Sequence, residues 1–507
     1  MAIKNTYYHF NTQDDLPVNP TCSDNETFGV LVLETEKVNI TNRPIFILFT
    51  IDATGSMSEY VSSNTTKIQY AVQTMKSIIK YLSTLEIDAY IQINTFNEDV
   101  QTLISPTKVS TQSMEDMIIL LNSIHADGTT NIELALKSAT SDINEYTCEN
   151  PHHSCVHIFM TDGEPTSGEM ASIELLKCIS NDYLSINIGF GPDHNAKLLC
   201  ELSSLTNSEY HFIDNIEHAS MVYGESLHKV LYPCLHNLRI HIEGGLIYDW
   251  YNNTWSNILY ENTVIGEITK YYHIKSSTTD DINVYIAGYC QIDHQNGNYS
   301  MMCHIEEDVY KLPNLIDTSG NILHDTTIVI FAFRQCVLEL LYKATHIVEN
   351  ANVDEKLQLK EDIRTLFRKI RKYAEESNII TDGVVKQLLN DLYLAYWNIG
   401  DVYGEIYIHG RHSSQGNQYA HTPGNIRLPN YNVDDIIDMP PRPVLRRSMN
   451  HHFHNSPFQF SSQVTESDLE LNLNDEDSYT GQTDNEYSCY STPSIRRTTN
   501  SIQQFDD

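Results

Sequence analysis

The sequence predicts a doubly wound α/β domain with a mainly parallel sheet, followed by an antiparallel β module, a helical region and a disordered tail. Three observations carry this. Two continuous apolar runs, RPIFILFTID (43–52) and VHIFMTDG (156–163), have the length and composition of central parallel strands buried on both faces. Around them, strand-like segments alternate with helical-period segments as far as residue 231, the rhythm of parallel βαβ windings. From 233 the pattern changes to short alternating runs separated by Gly, Asn and Asp, which reads as antiparallel strands.

Taken in order, residues 1–27 are polar and aperiodic and read as a flexible arm. FGVLVLETEKV (28–38) alternates as a strand; residues 28–42 are assigned to the β module, with the α/β domain (43–232) inserted between its parts. Within that domain, Ile68, Val72, Met75, Ile79 and Leu82 fall at helical spacing. A strand follows at 87–96, then helices at 111–124 and 131–146. After the second apolar run come a helix at 173–181, a strand at 183–191, a helix at 196–205, a strand at 210–213 and a closing helix at 219–231. The β module spans 233–323. The helical region, 324–404, holds helices at about 326–349 and 354–376, and a third from near 384 that stops at Gly400. Residues 405–507 are rich in Ser, Asn, Asp, Gln, Pro and Tyr. That composition buries too little apolar surface to offset chain entropy, so a disordered tail is expected.

The 507 residues allow two to four domains. A hydrophobic content of 41% suffices for real cores, and the net charge of −35 disfavours nucleic-acid or anionic-membrane binding. The ten cysteines form no CxxC pair, against RING-type zinc sites and thioredoxin-like chemistry. The opening residues lack an apolar signal core. The longest apolar stretch, TTIVIFAFRQCVLELL, carries Arg334 and Glu339 and is too short to span a membrane. The expectation is an intracellular, cytoplasmic protein with reduced thiols, in which the sequons at Asn25, Asn39, Asn64, Asn252 and Asn298 are chance matches.

Three segments point to chemistry. DATGS (52–56) directly follows one apolar strand, DGTTNI (127–132) opens a helix, and TDG (161–163) ends the other apolar strand. In an open parallel sheet, ligands bind beyond the carboxyl ends of strands where the winding reverses, so Asp52 and Asp162 can converge there. Gly55, Gly128 and Gly163 allow tight turns. Two carboxylates with hydroxyls from Thr54, Ser56 and Thr130 form an all-oxygen donor set suited to a hard divalent cation, Mg²⁺ first, with Mn²⁺ or Ca²⁺ as alternatives. Few direct negative ligands leave such an ion electrophilic, with a position for a partner's acidic side chain.

These segments, IDATGSMS, GTTNI and the apolar strand ending in TDG, resemble the metal-ion-dependent adhesion site of von Willebrand factor A (VWA) domains. The family pattern is an Asp-x-Ser/Thr-x-Ser loop, a Thr in a second loop and an Asp in a third, and INIGFG resembles the family's later strand. The resemblance covers about 190 residues and implies a Rossmann-like VWA fold. It also implies a metal held by Asp52, Thr54, Ser56, Thr130 and Asp162. Thr129 is the second choice at the Thr position; the family's usual G-T-N-I order favours Thr130. Thr54 stands where many members have Ser.

The overall layout also resembles ubiquitin-ligase-associated VWA proteins, here without a RING. The function expected is a non-enzymatic adaptor that docks a partner protein's Asp or Glu on the metal. The alternatives are a VWA subunit or adaptor of a ubiquitin-ligase or ATPase complex, and a Mg²⁺-dependent phosphotransfer enzyme. Against the last, no GxSxG, Walker-type loop or HExxH occurs. CENPHHSC (148–155) is too compact for a usual tetrahedral zinc site and reads as a polar loop, and HHFH (451–454) falls in the expected disordered tail without a metal role. Glu164 reads as a solvated loop carboxylate. The paired echo YAHTPGNIR (419–427) and YSTPSIRRT (490–498) is either low-complexity coincidence or a linear motif read by a partner or kinase.

Overall fold

The computed structural model describes residues 3–11, 17–20, 26–60, 65–191, 194–214, 219–277, 282–292, 301–309, 326–347, 352–424 and 487–505. The chain opens with β1 (Ile3–Asn11) and β2 (Glu26–Thr35), paired antiparallel. A six-stranded sheet follows, built from β3 (Ile45–Asp52), β4 (Ala89–Phe96), β5 (Val100–Lys108), β6 (Ser154–Thr161), β7 (Leu184–Phe190) and β8 (Ser208–Ile213). Their spatial order is β5-β4-β3-β6-β7-β8. Strand β3 lies between β4 and β6, parallel to both, and β7 and β8 extend the parallel run. Every residue of β3 is buried, which is why its sequence is apolar without alternation.

Within the domain, among the described residues, the helices over the two faces are α1 (Lys67–Ser83), α2 (Ser113–Leu121), α3 (Ile132–Glu149), the single turn α4 (Ser172–Leu175), α5 (Ala196–Leu202) and α6 (Ala219–Leu231). Ile47, Phe49 and Ile51 pack with Ile78, Ile79 and Leu227 on one side. Phe46 and Leu48 pack with Ala139, Ile143 and Tyr146 on the other. The winding reverses at β3, so the loops after β3 and β6 open beside each other at the carboxyl edge.

Beyond this domain, β9 (Pro233–Glu243), β10 (Gly245–Asp249), β11 (Thr254–Ser256), β12 (Ile258–Ile265), β13 (Thr269–Ser277), β14 (Asn283–Ile292) and β15 (Met301–Val309) complete two antiparallel sheets. One has the order β1-β2-β13-β10-β11 and the other β12-β9-β14-β15. Leu31 and Leu33 of β2 share a core with Leu238, Ile240, Ile274 and Ile286. The opposite face of β2, with Phe28, Val30 and Val32, packs against helices. Those helices are α7 (Thr326–Thr345), α8 (Val353–Glu376) and α9 (Gly383–Asn398), joined by α10 (Val402–Asn417).

The structure corrects four expectations. The arm assigned to 1–27 contains strand β1. Residues 100–108, given no element from sequence, form the antiparallel edge strand β5; its mostly exposed positions and Pro106 hide the strand period. The chain does not lose structure at 405. Gly400 turns the backbone at φ +84°, and α10 then runs to Asn417 with His409, Arg411, His412, Ser414 and Gln415 all buried. A helix buried around polar groups has no amphipathic stripe, so its period is invisible to a hydrophobic scan.

The fourth correction lies at the far end of the same tail. Residues 493–503 form α11 (Pro493–Gln503), capped by Thr492, with Ile495 in the β-module core and Ile502 in the α/β core. The first echo segment meets the residues just before the second. Ser488 N donates to Ala420 O at 2.8 Å, Thr422 is buried against Ser414 (hydroxyls 2.9 Å apart), and Thr492 serves as the helix cap. The tail residues 425–486, including HHFH, and the sequons at Asn25, Asn64 and Asn298 lie outside the described residues.

Candidate metal centre

At the end of β3, Asp52 is fully buried and both of its oxygens are held. Thr54 N donates to Oδ1 at 2.9 Å, and the Thr161 hydroxyl donates to Oδ2 at 2.6 Å. The following turn, Gly55–Ser58, is a single 3₁₀ turn pinned by Gly55 N to Gly128 O at 3.2 Å. That turn brings the Thr54 and Ser56 hydroxyls to 3.1 Å from each other, and Ser56 Oγ donates to Asp162 Oδ1 at 2.7 Å. Gly163 stands beside the Ser56 and Thr130 hydroxyls. A Cβ there would lie 3.7 Å from Ser56 Oγ and 3.8 Å from Thr130 Oγ1, which sets both hydroxyls on one side of the loop.

Thr129 and Thr130 part company. Thr130 is buried, and its backbone is clamped by Thr166, with N donating to the Thr166 hydroxyl at 2.8 Å and O accepting from Thr166 N at 2.9 Å. Thr129 is exposed; its N donates to Glu98 at 3.0 Å and its hydroxyl lies 3.4 Å from Ser167 Oγ. Gly128, at φ +84°, makes this possible, since a side chain there would collide with Glu98. Glu164 is exposed.

Sequence reasoning missed Lys67. This first residue of α1 is only 3% exposed, and its Nζ lies 2.8 Å from both Asp162 Oδ2 and Glu59 Oε2. A signal existed: a Lys at a helix N-terminus opposes the helix dipole and calls for a local anion. Burial, then the charge of Asp162, pushes the Asp52 carboxyl up to about 6. Burial also raises Asp162, while Lys67 and Ser56 pull it back. Burial works against the Lys67 charge, but Asp162 and Glu59 outweigh it and leave the ammonium raised.

The donor set fits a hard ion. Around an octahedral Mg²⁺ with ligands at about 2.0–2.1 Å, neighbouring oxygens stand about 2.9 Å apart. The Thr54–Ser56 and Ser56–Asp162 spacings of 3.1 and 2.7 Å bracket that value. Among the described residues no cluster of three or more His, Cys, Asp or Glu side chains is placed to hold a metal, so a site here needs donors beyond its carboxylates, which the neighbouring hydroxyls can supply. In the 148–155 loop, His153 is instead turned to the Tyr146 hydroxyl at 2.9 Å.

The family model for the von Willebrand factor type A domain matches residues 47–221, the stretch that holds all three loops. Residues 47–221 are a VWA domain. VWA domains engage protein partners, commonly through a bound divalent metal. The chain is 25% identical over 291 residues to inter-alpha-trypsin inhibitor heavy chain H2 of Mus musculus, an alignment covering 54% of this chain and 30% of that protein. It is 28% identical over 181 residues to heavy chain H1 of Mesocricetus auratus, covering 34% of this chain and 18% of that protein. The chain thus spans less than a third of the length of these curated relatives. A solved von Willebrand factor type A protein from Catenulispora acidiphila superposes with a TM-score of 0.50 at 13% identity. That match covers 77% of this chain and 90% of the other, and shows a common fold extending beyond the VWA domain. No helix among the described residues is long and apolar enough to cross a membrane.

Proposed function

We propose that this chain is a non-enzymatic binding protein whose VWA domain holds one divalent cation, Mg²⁺ in the first place, through Asp52, Thr54, Ser56, Thr130 and Asp162. A carboxylate of a partner protein docks on the ion. When bound, the metal supplies an electrophilic centre for that carboxylate. The protein's own part is to fix the oxygens. Thr54 N and Thr161 lock Asp52, the Gly55–Gly128 bond sets the first loop against the second, and Thr166 clamps Thr130. The observation that carries the reading is the run of contacts from Thr54 through Ser56 to Asp162, at octahedral ligand spacing in a domain of metal-using type. The buried placement of Thr130 and the diversion of Thr129 to Ser167 favour Thr130 as the ligand.

Calorimetric titration of the full chain with Mg²⁺ is expected to give one site, lost in Asp162→Ala and weakened at least about tenfold in Thr130→Ala, with Thr129→Ala close to wild type. Affinity capture with and without EDTA tests the docking step. If specific partners survive both EDTA and Asp162→Ala, docking does not use the metal.

A further inference from the structure

We infer that Lys67 is a tethered counter-cation of the metal centre, which weakens the site's grip on its ion and keeps that ion electrophilic toward a carboxylate. The inference rests on the metal-binding reading above and adds a regulator to it. Lys67 is buried at the first position of α1, where the helix dipole presents roughly half a positive charge. Neither burial nor the dipole favours an ammonium there, so its carboxylate partners must hold it in place.

Those partners divide the site unequally. Asp162 turns Oδ1 to Ser56 inside the donor set and Oδ2 to Lys67. Asp52 is satisfied by an amide and a hydroxyl, with no ion pair among the described residues. Glu59, the other partner of Lys67, lies at the rim with 60% of its side chain exposed. The buried charges are therefore two carboxylates and one ammonium. With Glu59 counted, 2.8 Å from the same ammonium, an arriving divalent ion meets a net charge of −2, where the three carboxylates alone would present −3.

The Lys67 stem lies beside the loop after β7, where a Cβ on Gly191 would stand 3.7 Å from Lys67 Cε. A fixed positive charge one carboxylate away from the metal subtracts from metal affinity. It leaves more of the ion's own charge for an incoming anion.

The test is a titration of the full-length chain with Mn²⁺, read by electron paramagnetic resonance of the free ion, on wild type, Lys67→Met, Lys67→Gln and Lys67→Arg. The neutral variants are expected to bind Mn²⁺ at least about tenfold more tightly, and Lys67→Arg to stay within about threefold of wild type. A residue needed only for packing would lower metal affinity when replaced. Equal or weaker binding in neutral variants with a wild-type circular dichroism spectrum therefore overturns the inference; the Gln variant serves if Met prevents folding. If wild type takes up no Mn²⁺ while a neutral variant does, the counter-cation role stands and metal docking by the wild-type protein falls. If no form binds, both fall.

Discussion

His157 illustrates how a single buried ring couples the VWA core to pH. It sits fully buried on β6, with Nε2 3.0 Å from the Thr50 hydroxyl of β3, and burial pushes its pKa down to about 3. An unfolded chain takes up this proton near pH 6.5, whereas the folded one refuses it until near 3. The stability that depends on a neutral ring is therefore whole above pH 6.5 and drains away below it, by about 1.4 kcal/mol per pH unit. Burial lowers His194, His211 and His228 to about 4, in the same direction. Urea unfolding at pH 7 and pH 5 should give a shallower pH dependence for His157→Gln than for wild type, by about 2 kcal/mol. Parallel slopes would show that the ring is protonated in the fold.

Among the elements, α10 is the one whose stability is least conventional. Arg411 Nη1 donates to Asp391 Oδ1 of α9 at 2.7 Å, with both side chains fully buried, and Nη2 donates to Gly424 O at 2.5 Å. Gln415 Nε2 donates to the other Asp391 oxygen at 2.6 Å. Arg334 of α7 then ties the same helix to β13 and to the C-terminal segment, with Nη1 3.0 Å from His273 Nε2 and Nε donating to the Tyr490 hydroxyl at 3.0 Å. Such a network adds little net energy when whole, but removing one partner strands a buried charge. Asp391→Ala is expected to cost about 3–5 kcal/mol, read as a lowered denaturation midpoint with increased amide exchange over 402–417. A midpoint equal to wild type would mean that Arg411 finds water instead.

On the scale of the whole molecule, α11 fastens two cores. Ile495 belongs to the β-module core and Ile502, fully buried, to that of the VWA domain, while Ser77 and Lys80 of α1 both donate to Phe505 O. Ile502→Ala is expected to destabilise by about 2–5 kcal/mol and to speed amide exchange on α6. Wild-type exchange there would show that the segment merely rests on the surface. The same scale shows what the sequence could reveal. The α/β class was legible because β3 and β6 are buried on both faces and their apolar runs end in the aspartates that flank the loops. Element β5 was hidden by its solvent-facing edge, and α10 by its polar interior. Helix α11 shows only a few apolar residues, contacted by partners hundreds of positions away. Lys67 escaped notice because it reaches the centre from a helix start outside all three loops.

The VWA domain enters and leaves the β module through one narrow doorway. Thr41 N donates to Leu231 O at 2.8 Å, and Glu36 O and Tyr232 O accept from Glu267 and Gly266 at 3.0 and 3.1 Å. This nesting dictates an order of assembly on the ribosome. Strand β2 cannot meet β13 until the intervening VWA residues have emerged, so the inserted domain is free to fold while the sheet around it waits for its second half. Helix α11, synthesised after all the other described elements, then closes over both. A pause between 425 and 486 would leave both cores short of the side chains, Ile495 and Ile502, that this helix supplies.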